Sequence, residues 1–142
     1  MYEQGDCSLS LLFCERKSKV YVVFVECQEA LGMETGVISD RQITASSQRN
    51  SRHAPVQGRL NFKVTEGKAG AWCAGSNDSK QWLQVDLLSK HIVTRVATQG
   101  TNGEYRQWVT KYKLQYSNDG INFQFYREKG ETTDKVRYTQ PE

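Results

Sequence analysis

Trp108-Val-Thr-Lys-Tyr-Lys-Leu-Gln-Tyr-Ser-Asn-Asp-Gly120 is the stretch of sequence that decides the fold class. Successive side chains of a β-strand point to opposite faces, so a strand with one buried face alternates between apolar and polar residues. Here the polar positions are occupied by lysine and glutamine, and the alternate positions form an apolar face: Trp108, Thr110, Tyr112, Leu114 and Tyr116. The stretch therefore predicts one continuous strand.

A hairpin turn is predicted immediately after this strand. Asn118-Asp119-Gly120 suits a tight turn, because glycine adopts the positive φ that such turns require, and Phe123–Tyr126 is then the returning strand. Two earlier segments also alternate. Gln81-Trp-Leu-Gln-Val-Asp-Leu87 places Leu83, Val85 and Leu87 on one face, and Ile92–Gln99 has one side that is more apolar than the other. Turn residues interrupt the chain often and no helical period is sustained, so the pattern predicts an all-β sandwich or barrel.

Composition limits the classes of protein that fit. A chain of 142 residues with 37% hydrophobic and 25% charged residues supports one domain with an ordinary core. The net charge of +3 is too small to indicate a nucleic-acid partner, and no basic stretch is interleaved with aromatic residues. One local feature stands out, since the segment from Arg41 to Lys63 contains no carboxylate. Its cations form either an anion-attracting surface or scattered surface charge: Arg41, Arg49, Arg52, Arg59 and Lys63.

The cysteines and one short motif bear on the compartment. Cys7, Cys14, Cys27 and Cys73 have no zinc-binding spacing and no Cys-x-x-Cys pair. Nothing near Cys73 in the sequence would activate it, so we expect a buried free thiol there rather than a reactive one. Asn77-Asp78-Ser79 is an N-glycosylation sequon, which makes Asn77 a candidate acceptor if the chain is secreted.

Residues 1–26 are interpreted as a leader outside the main pattern. Val20-Tyr-Val-Val-Phe-Val25 is short for the apolar part of a secretory signal and runs directly into Glu26. We therefore favour a non-native or poorly ordered leader over a working signal. No segment reaches the roughly 20 apolar residues that a membrane-spanning helix needs.

From about Cys27 to about Val136 the chain resembles the discoidin family, also called the type C domain of coagulation factors V and VIII. Six features carry this resemblance in order: Glu29-Ala-Leu-Gly-Met-Glu34, Ile43-Thr-Ala-Ser-Ser47, Arg59-Leu60, Gly70-Ala-Trp72 with Gln81–Leu87, Val96-Ala-Thr-Gln-Gly100, and the Tyr112–Gly120 hairpin. The resemblance implies an eight-stranded, galactose-binding-like jelly-roll β-barrel over residues 27–142, located outside the cell. It also implies that Cys27 pairs with a cysteine at the end of the domain. This sequence has no cysteine after Cys73, so we expect a domain that lacks its last strands.

The family binds phospholipid, carbohydrate or protein partners through loops at one end of the barrel. Carried across, these loops are Ser47–Val56, the region around Ser76-Asn77-Asp78, and Thr101–Arg106. Membrane-binding members carry bulky apolar residues at the loop tips, whereas here only Tyr105 favours an interface. We therefore expect a polar ligand, a carbohydrate or an extracellular protein, with these candidate contacts: Arg49, Asn50, Arg52, His53, Ser76, Asn102, Glu104, Tyr105 and Arg106. The alternative is an anionic phospholipid surface bound without deep insertion by Arg49, Arg52, Arg59 and Tyr105.

No catalytic constellation is visible. His53 and His91 belong to no recognisable motif, and the sequence has no Gly-x-Ser-x-Gly, His-Glu-x-x-His or phosphate-binding glycine loop. We expect a non-catalytic adhesion or recognition module without metal or cofactor. A role as the targeting domain of an enzyme is a less favoured alternative.

Overall fold

The computed structural model describes residues 29–101 and 107–138. Within these residues the regular elements are short strands and single-turn 3-10 helices. The strands are β1 (Ile43–Ala45), β2 (Leu83–Val85), β3 (Lys111–Lys113), β4 (Gln115–Tyr116), β5 (Gln124–Phe125) and β6 (Val136–Tyr138). The 3-10 helices are Asp40–Gln42, Ser51–His53 and Pro55–Gly58. The described part of the chain is thus all-β, as the alternation predicts.

The strands form three antiparallel pairs. β1 pairs with β2, with Ile43 opposite Val85 and Ala45 opposite Leu83. β3 pairs with β6, with Tyr112 opposite Arg137, and β4 pairs with β5. Asp134 helps to join the last two pairs, because its carboxylate lies 3.1 Å from Lys113 Nζ on β3 and 3.1 Å from Arg127 Nε beyond β5.

The core lies beside the β1–β2 pair. Met33, Ile38 and Ile43 are buried, and the partly buried side chains packed against them include Leu83, Val85 and Leu87. These are the three residues that the period of two places on one face of the predicted 81–87 strand. That prediction is confirmed, although the hydrogen-bonded strand itself covers only Leu83–Val85.

A turn at Gly32 directs Met33 and Ile38 into this core. The Gly32 carbonyl accepts hydrogen bonds from the backbone N–H groups of Gly36 and Ile38, at 3.1 and 3.2 Å. Gly32 has φ of 99°, and a Cβ at this position would lie 2.4 Å from the Val37 Cβ. A side chain is excluded there both by conformation and by space.

The predicted hairpin is also present. Residues 117–123 connect β4 to β5, and Gly120 has φ of 71°. The connection is longer than the predicted tight turn because the Asp119 carboxylate organises it. Asp119 Oδ1 accepts the backbone N–H groups of Ile121 at 2.9 Å and Asn122 at 2.8 Å.

Two strand predictions need correction. Residues 92–99 form no strand, and the predicted strand Trp108–Tyr116 is divided at Leu114 into β3 and β4, which pair with different partners. Alternation indicates which side chains share a face, but a strand also needs a partner for its backbone hydrogen bonds. No strand pair of the described part of the chain includes residues 92–99, and Ile92 and Val93 are 54% and 40% exposed.

Candidate ligand-binding loops

Two of the three predicted binding loops leave the same end of the β1–β2 pair. We call residues 47–56 loop 1 and residues 75–80 loop 2. Loop 1 follows β1 and loop 2 precedes β2. Because the two strands are antiparallel, both loops lie at the same end of the strand pair. Ser46 and Trp82 are hydrogen-bonded at that end. Ser46 N–H donates to the Trp82 carbonyl at 3.0 Å, and Trp82 N–H donates to Ser46 Oγ at 3.0 Å.

Ser47 connects the two loops. Its hydroxyl oxygen accepts the backbone N–H of Gly75 at 2.9 Å and donates to Gln81 Oε1. Its carbonyl accepts the indole N–H of Trp72 at 2.9 Å. A further backbone bond runs from Arg49 N–H to the Cys73 carbonyl at 2.8 Å. Loops 1 and 2 therefore form one continuous surface.

Asn50 fixes the conformation of loop 1. Its Oδ1 accepts the Arg52 backbone N–H at 3.0 Å and caps the 3-10 helix Ser51–His53. The same atom lies 2.8 Å from His53 Nδ1. Because a backbone N–H already donates to this atom, it is the amide oxygen, so His53 donates its Nδ1–H. The oxygen of Asn50 thus supports the loop, and its amide nitrogen is the part of the side chain left for a ligand.

Loop 1 carries two arginines whose charged groups are exposed and unengaged in the described part of the chain. Arg49 and Arg52 are exposed, and within residues 29–101 and 107–138 their guanidinium groups have no hydrogen-bond or ion-pair partner. The pKa of half-buried His53 is held below its ordinary value of 6.5, first by burial and then by the charges of Arg49 and Arg52. The two guanidinium groups therefore raise the positive potential around the imidazole.

Arg59 does not belong to this cationic surface, and its assignment to a lipid-binding set is wrong. The residue is buried, at 7% exposure. Its Nη1 donates to the Met33 carbonyl at 2.9 Å and its Nη2 donates to Asp40 Oδ1 at 2.6 Å. Both ends of the guanidinium are engaged within the chain, because the segment before β1 folds back against residue 59.

Loop 2 presents short polar side chains. Ser76 and Asn77 are exposed. The Asp78 carboxylate is turned back toward its own loop, where it accepts the Lys80 backbone N–H at 2.8 Å and a Gln81 Nε2–H at 3.0 Å. These bonds, the one from Gln81 first, hold the pKa of Asp78 below its ordinary value.

The third predicted loop is described only at its base. Thr101 N–H donates to the Gln107 carbonyl at 2.8 Å, and Gln107 N–H donates to Thr101 Oγ1 at 3.1 Å. The four candidate contact residues of this loop lie outside the described residues: Asn102, Glu104, Tyr105 and Arg106. Their assignment stays a prediction.

Trp82 is a surface residue that the sequence analysis does not include among the candidate contacts. It is 49% exposed and lies beside Ser46 at the end of the β1–β2 pair where both loops are located. The signal is present in the sequence, because Leu83, Val85 and Leu87 occupy the core face and Trp82 belongs to the alternate face. Ser47 and Gln81 were also missed as the residues that join the loops, and no local pattern marks them.

Cys73 is not a free thiol. It is buried, at 1% exposure, and disulfide-bonded. It is the only cysteine among the described residues, so its partner lies outside them. The expectation of a free thiol is therefore wrong, because cysteine pairing depends on which distant segments meet in the fold.

The described part of the chain offers neither a metal-binding cluster nor a helix able to cross a membrane. It contains no cluster of three or more histidine, cysteine, aspartate or glutamate residues able to hold a metal ion. None of its helices has the length and apolar character that crossing a bilayer would require.

Comparison with known proteins places the chain in a family. The model of the F5/8 type C domain matches residues 42–141. The chain is similar to coagulation factor V of Sus scrofa, with 40% identity over 115 residues. It is also similar to the EGF-like repeat and discoidin I-like domain-containing protein 3 of Homo sapiens, with 44% identity over 117 residues, and to lactadherin of Rattus norvegicus, with 41% identity over 117 residues.

The three alignments each cover 78% of this chain. They cover 5% of the factor V sequence, 24% of the discoidin I-like protein and 26% of lactadherin, so the chain corresponds to a small part of each relative. The matched region contains every strand described above. The chain therefore belongs to the F5/8 type C, or discoidin, family of all-β jelly-roll domains.

Proposed function

We propose that this chain is an extracellular, non-catalytic recognition module that binds a polar, anionic ligand on the surface formed by loops 1 and 2. The ligand is a carbohydrate or a segment of an extracellular protein. Membership in the discoidin family supports the role of a binding module. The observation that carries the choice of ligand is the pair of exposed guanidinium groups of Arg49 and Arg52, which have no partner in the described part of the chain.

Arginine is suited to this role because its planar guanidinium donates two parallel hydrogen bonds to a carboxylate, sulfate or phosphate. Arg49 and Arg52 flank Asn50, whose side chain holds the intervening turn in place. A preformed loop loses less conformational entropy when a ligand binds. No carboxylate occurs between Arg41 and Lys63 to compete for the two guanidinium groups, and the Asp78 carboxylate of loop 2 is already hydrogen-bonded within its own loop.

Trp82 adds an exposed apolar face at the end of the β1–β2 pair from which loops 1 and 2 extend. About half of the surface of Trp82 is exposed at this end of the strand pair. Tryptophan offers a large rigid face together with a polar N–H, a combination that is enriched at binding interfaces. A sugar ring that carries acidic groups would match both features, with its C–H face on Trp82 and its anionic substituents toward loop 1.

Docking on an anionic phospholipid surface is the second candidate, and the same two guanidinium groups favour it. Deep insertion is not favoured, because the tips of loops 1 and 2 carry Arg49, Asn50 and Ser76. Burial of apolar surface supplies roughly 25 cal/mol per Å², and polar tips gain little from it. The buried position of Arg59 removes one cation from the lipid-binding set.

The test compares two double variants that lose the same charge. Arg49→Ala with Arg52→Ala removes the loop 1 cations, and Arg41→Ala with Lys63→Ala removes exposed cations elsewhere in the same segment. Binding is measured on an array of neutral, carboxylated and sulfated glycans and on vesicles of phosphatidylserine or phosphatidylcholine, each at low and high salt.

We expect binding to acidic glycans that falls at least tenfold in the loop 1 variant and changes less than threefold in the control. Binding to phosphatidylserine vesicles alone would support the second candidate. Equal losses in both variants would show that the ligand responds to net charge and that loop 1 is not the site.

A further inference from the structure

We propose that Asn77 carries an N-linked glycan, and that this glycan limits access to the cationic surface of loop 1. The modification itself is independent of the ligand. The effect on access rests on the function proposed above.

Asn77 is in the only Asn-x-Ser/Thr sequon of the 142-residue sequence. Both side chains that the sequon requires are exposed, and within the described residues neither Asn77 nor Ser79 makes a side-chain hydrogen bond. Three other asparagines of the described chain have engaged side chains, whereas Asn118 has an exposed side chain but is not part of a sequon. Asn50 caps a 3-10 helix, Asn61 Nδ2 donates to Glu34 Oε1 at 2.8 Å, and Asn122 Nδ2 donates to Asp119 Oδ2 at 2.7 Å.

Asp78, the middle residue of the sequon, affects how Asn77 and Ser79 are exposed. Asp78 is turned back onto Lys80 N–H and Gln81, which leaves Asn77 and Ser79 on the open side of the turn. Exposed loops of this kind are where glycosylation occurs in secreted proteins. In the reaction, Asn77 Nδ2 forms a bond to the anomeric carbon of an oligosaccharide carried on a lipid diphosphate. The bond from sugar to diphosphate breaks, the lipid diphosphate leaves with the electron pair, and one amide proton is released.

The hydrogen bond between the two loops limits how far this glycan can lie from loop 1. Asn77 is two residues from Gly75, and Arg49 is two residues from Ser47, while Gly75 N–H is 2.9 Å from Ser47 Oγ. Two extended residues span at most about 7 Å, so the Cα atoms of Asn77 and Arg49 are separated by no more than roughly 20 Å. An N-linked oligosaccharide is bulky and strongly solvated, and on this loop it would occupy part of the approach to Arg49 and Arg52.

The modification is tested on the full chain secreted from eukaryotic cells behind a heterologous signal sequence. Treatment with peptide N-glycosidase F should increase the mobility of the wild-type chain in a denaturing gel. Asn77→Gln and Ser79→Ala should each abolish this shift, and Ser76→Ala, a matched change one residue before the acceptor, should retain it. A wild-type chain without a shift would overturn the proposal.

The effect on access is tested with a sulfated oligosaccharide as the probe. Enzymatic release of the glycan converts the acceptor asparagine into aspartate, so the matched control is the Asn77→Asp variant, which was never glycosylated. We expect the glycosylated chain to bind the probe several-fold more weakly than the released chain, and the released chain to match Asn77→Asp. Equal unfolding temperatures of all three forms would exclude a difference in folding.

The failures of the two proposals are distinguishable. Equal affinity of the glycosylated and released chains overturns the limit on access but leaves loop 1 as the site. Absence of binding by both chains, on acidic and neutral glycans alike, overturns the proposed function and the limit on access together. In either case, the gel shift shows whether Asn77 carries a glycan.

Discussion

Arg59 Nη2 donates a 2.6 Å hydrogen bond to Asp40 Oδ1, although the Arg59 side chain is 8% exposed and the Asp40 side chain is 73% exposed. The second end of the guanidinium donates to the Met33 carbonyl at 2.9 Å. Arg59 therefore connects Met33 and Asp40, which precede β1, to the segment that follows loop 1. A cation that resembles part of a binding surface in the sequence is a structural residue in the fold.

Arg59→Ala should destabilise the protein by about 2–3 kcal/mol, because it removes a buried side chain and leaves the buried Met33 carbonyl without its donor. Asp40→Ala should cost less than about 1 kcal/mol, since water can replace an exposed carboxylate. Urea unfolding measures both. The matched control is Arg49→Ala, an exposed arginine for which we expect a change within about 0.5 kcal/mol. Equal effects of the two arginine variants would contradict the structural role of Arg59.

Ser47→Ala should separate loop 1 from loop 2. The variant loses the acceptor of Gly75 N–H and the donor to Gln81, and we expect a loss of about 1–2 kcal/mol. Hydrogen exchange at the Gly75 amide should become faster, which a general loss of stability elsewhere would not single out. Ser51→Ala, an exposed serine of the same loop, serves as the control. If Gly75 exchanges at the wild-type rate in Ser47→Ala, the two loops are not joined through this hydroxyl.

His53 should titrate below 6.5, because burial and the two neighbouring arginines disfavour its charged form. The unfolded chain then binds more protons than the folded chain between the folded pKa and 6.5. Stability from this residue is therefore complete above 6.5 and falls as the pH decreases through that window. NMR titration of the imidazole measures the pKa directly.

Two comparisons identify the cause of the His53 shift. Arg52→Ala should raise the pKa of His53, whereas Lys63→Ala, outside loop 1, should leave it unchanged. Saturation with a sulfated oligosaccharide should also raise it, because an anion beside the guanidinium groups lowers the local positive potential. If the pKa of His53 is unchanged both by Arg52→Ala and by the anion, His53 is not part of the cationic surface.

The Asp119 turn should be sensitive to acid. Hydrogen bonds from Asn122 and Ile121 N–H, and from the Asn122 and Ser117 side chains, hold the pKa of Asp119 well below its ordinary value. The stabilisation of the hairpin is thus present above the unfolded pKa, near 3.9, and is lost as the pH falls toward the folded pKa. Chemical shifts of the Ile121 and Asn122 amides report this titration.

Asp119→Ala should remove that pH dependence and weaken the β4–β5 pairing at neutral pH. Asn118→Ala, at the exposed neighbouring position, should preserve both. Amide signals of Ile121 and Asn122 that move with pH in the same way in Asp119→Ala and in wild type would show that another group organises the turn.

The features that the sequence predicts correctly are local. Glycine at 120 and the aspartate before it specify the turn from within a few residues, and the hairpin forms where they predict it. Leu83, Val85 and Leu87 share a face because the pleat of a strand repeats every two residues. The position of Trp82 on the outer face follows from the same period.

The errors concern contacts between distant residues. Ile92–Gln99 has a strand-like pattern but belongs to no strand pair in the described part of the chain, and Trp108–Tyr116 is divided because its two halves pair with different strands. Cys73 is disulfide-bonded, which no neighbouring residue indicates. In the same way, the connection between loops through Ser47 and Gln81 spans 34 residues of sequence.

The sequence by itself determined the all-β class, the family and the polar character of loops 1 and 2, because these depend on side-chain order and on turns closed within a few residues. Only the tertiary structure decided which of the cations face solvent. Arg49, Arg52 and Arg59 carry the same charge and lie within one short segment, yet Arg59 is buried because the Met33 carbonyl and the Asp40 carboxylate replace its hydration. The free energy of a charged side chain depends on such partners, and the fold alone brings them together.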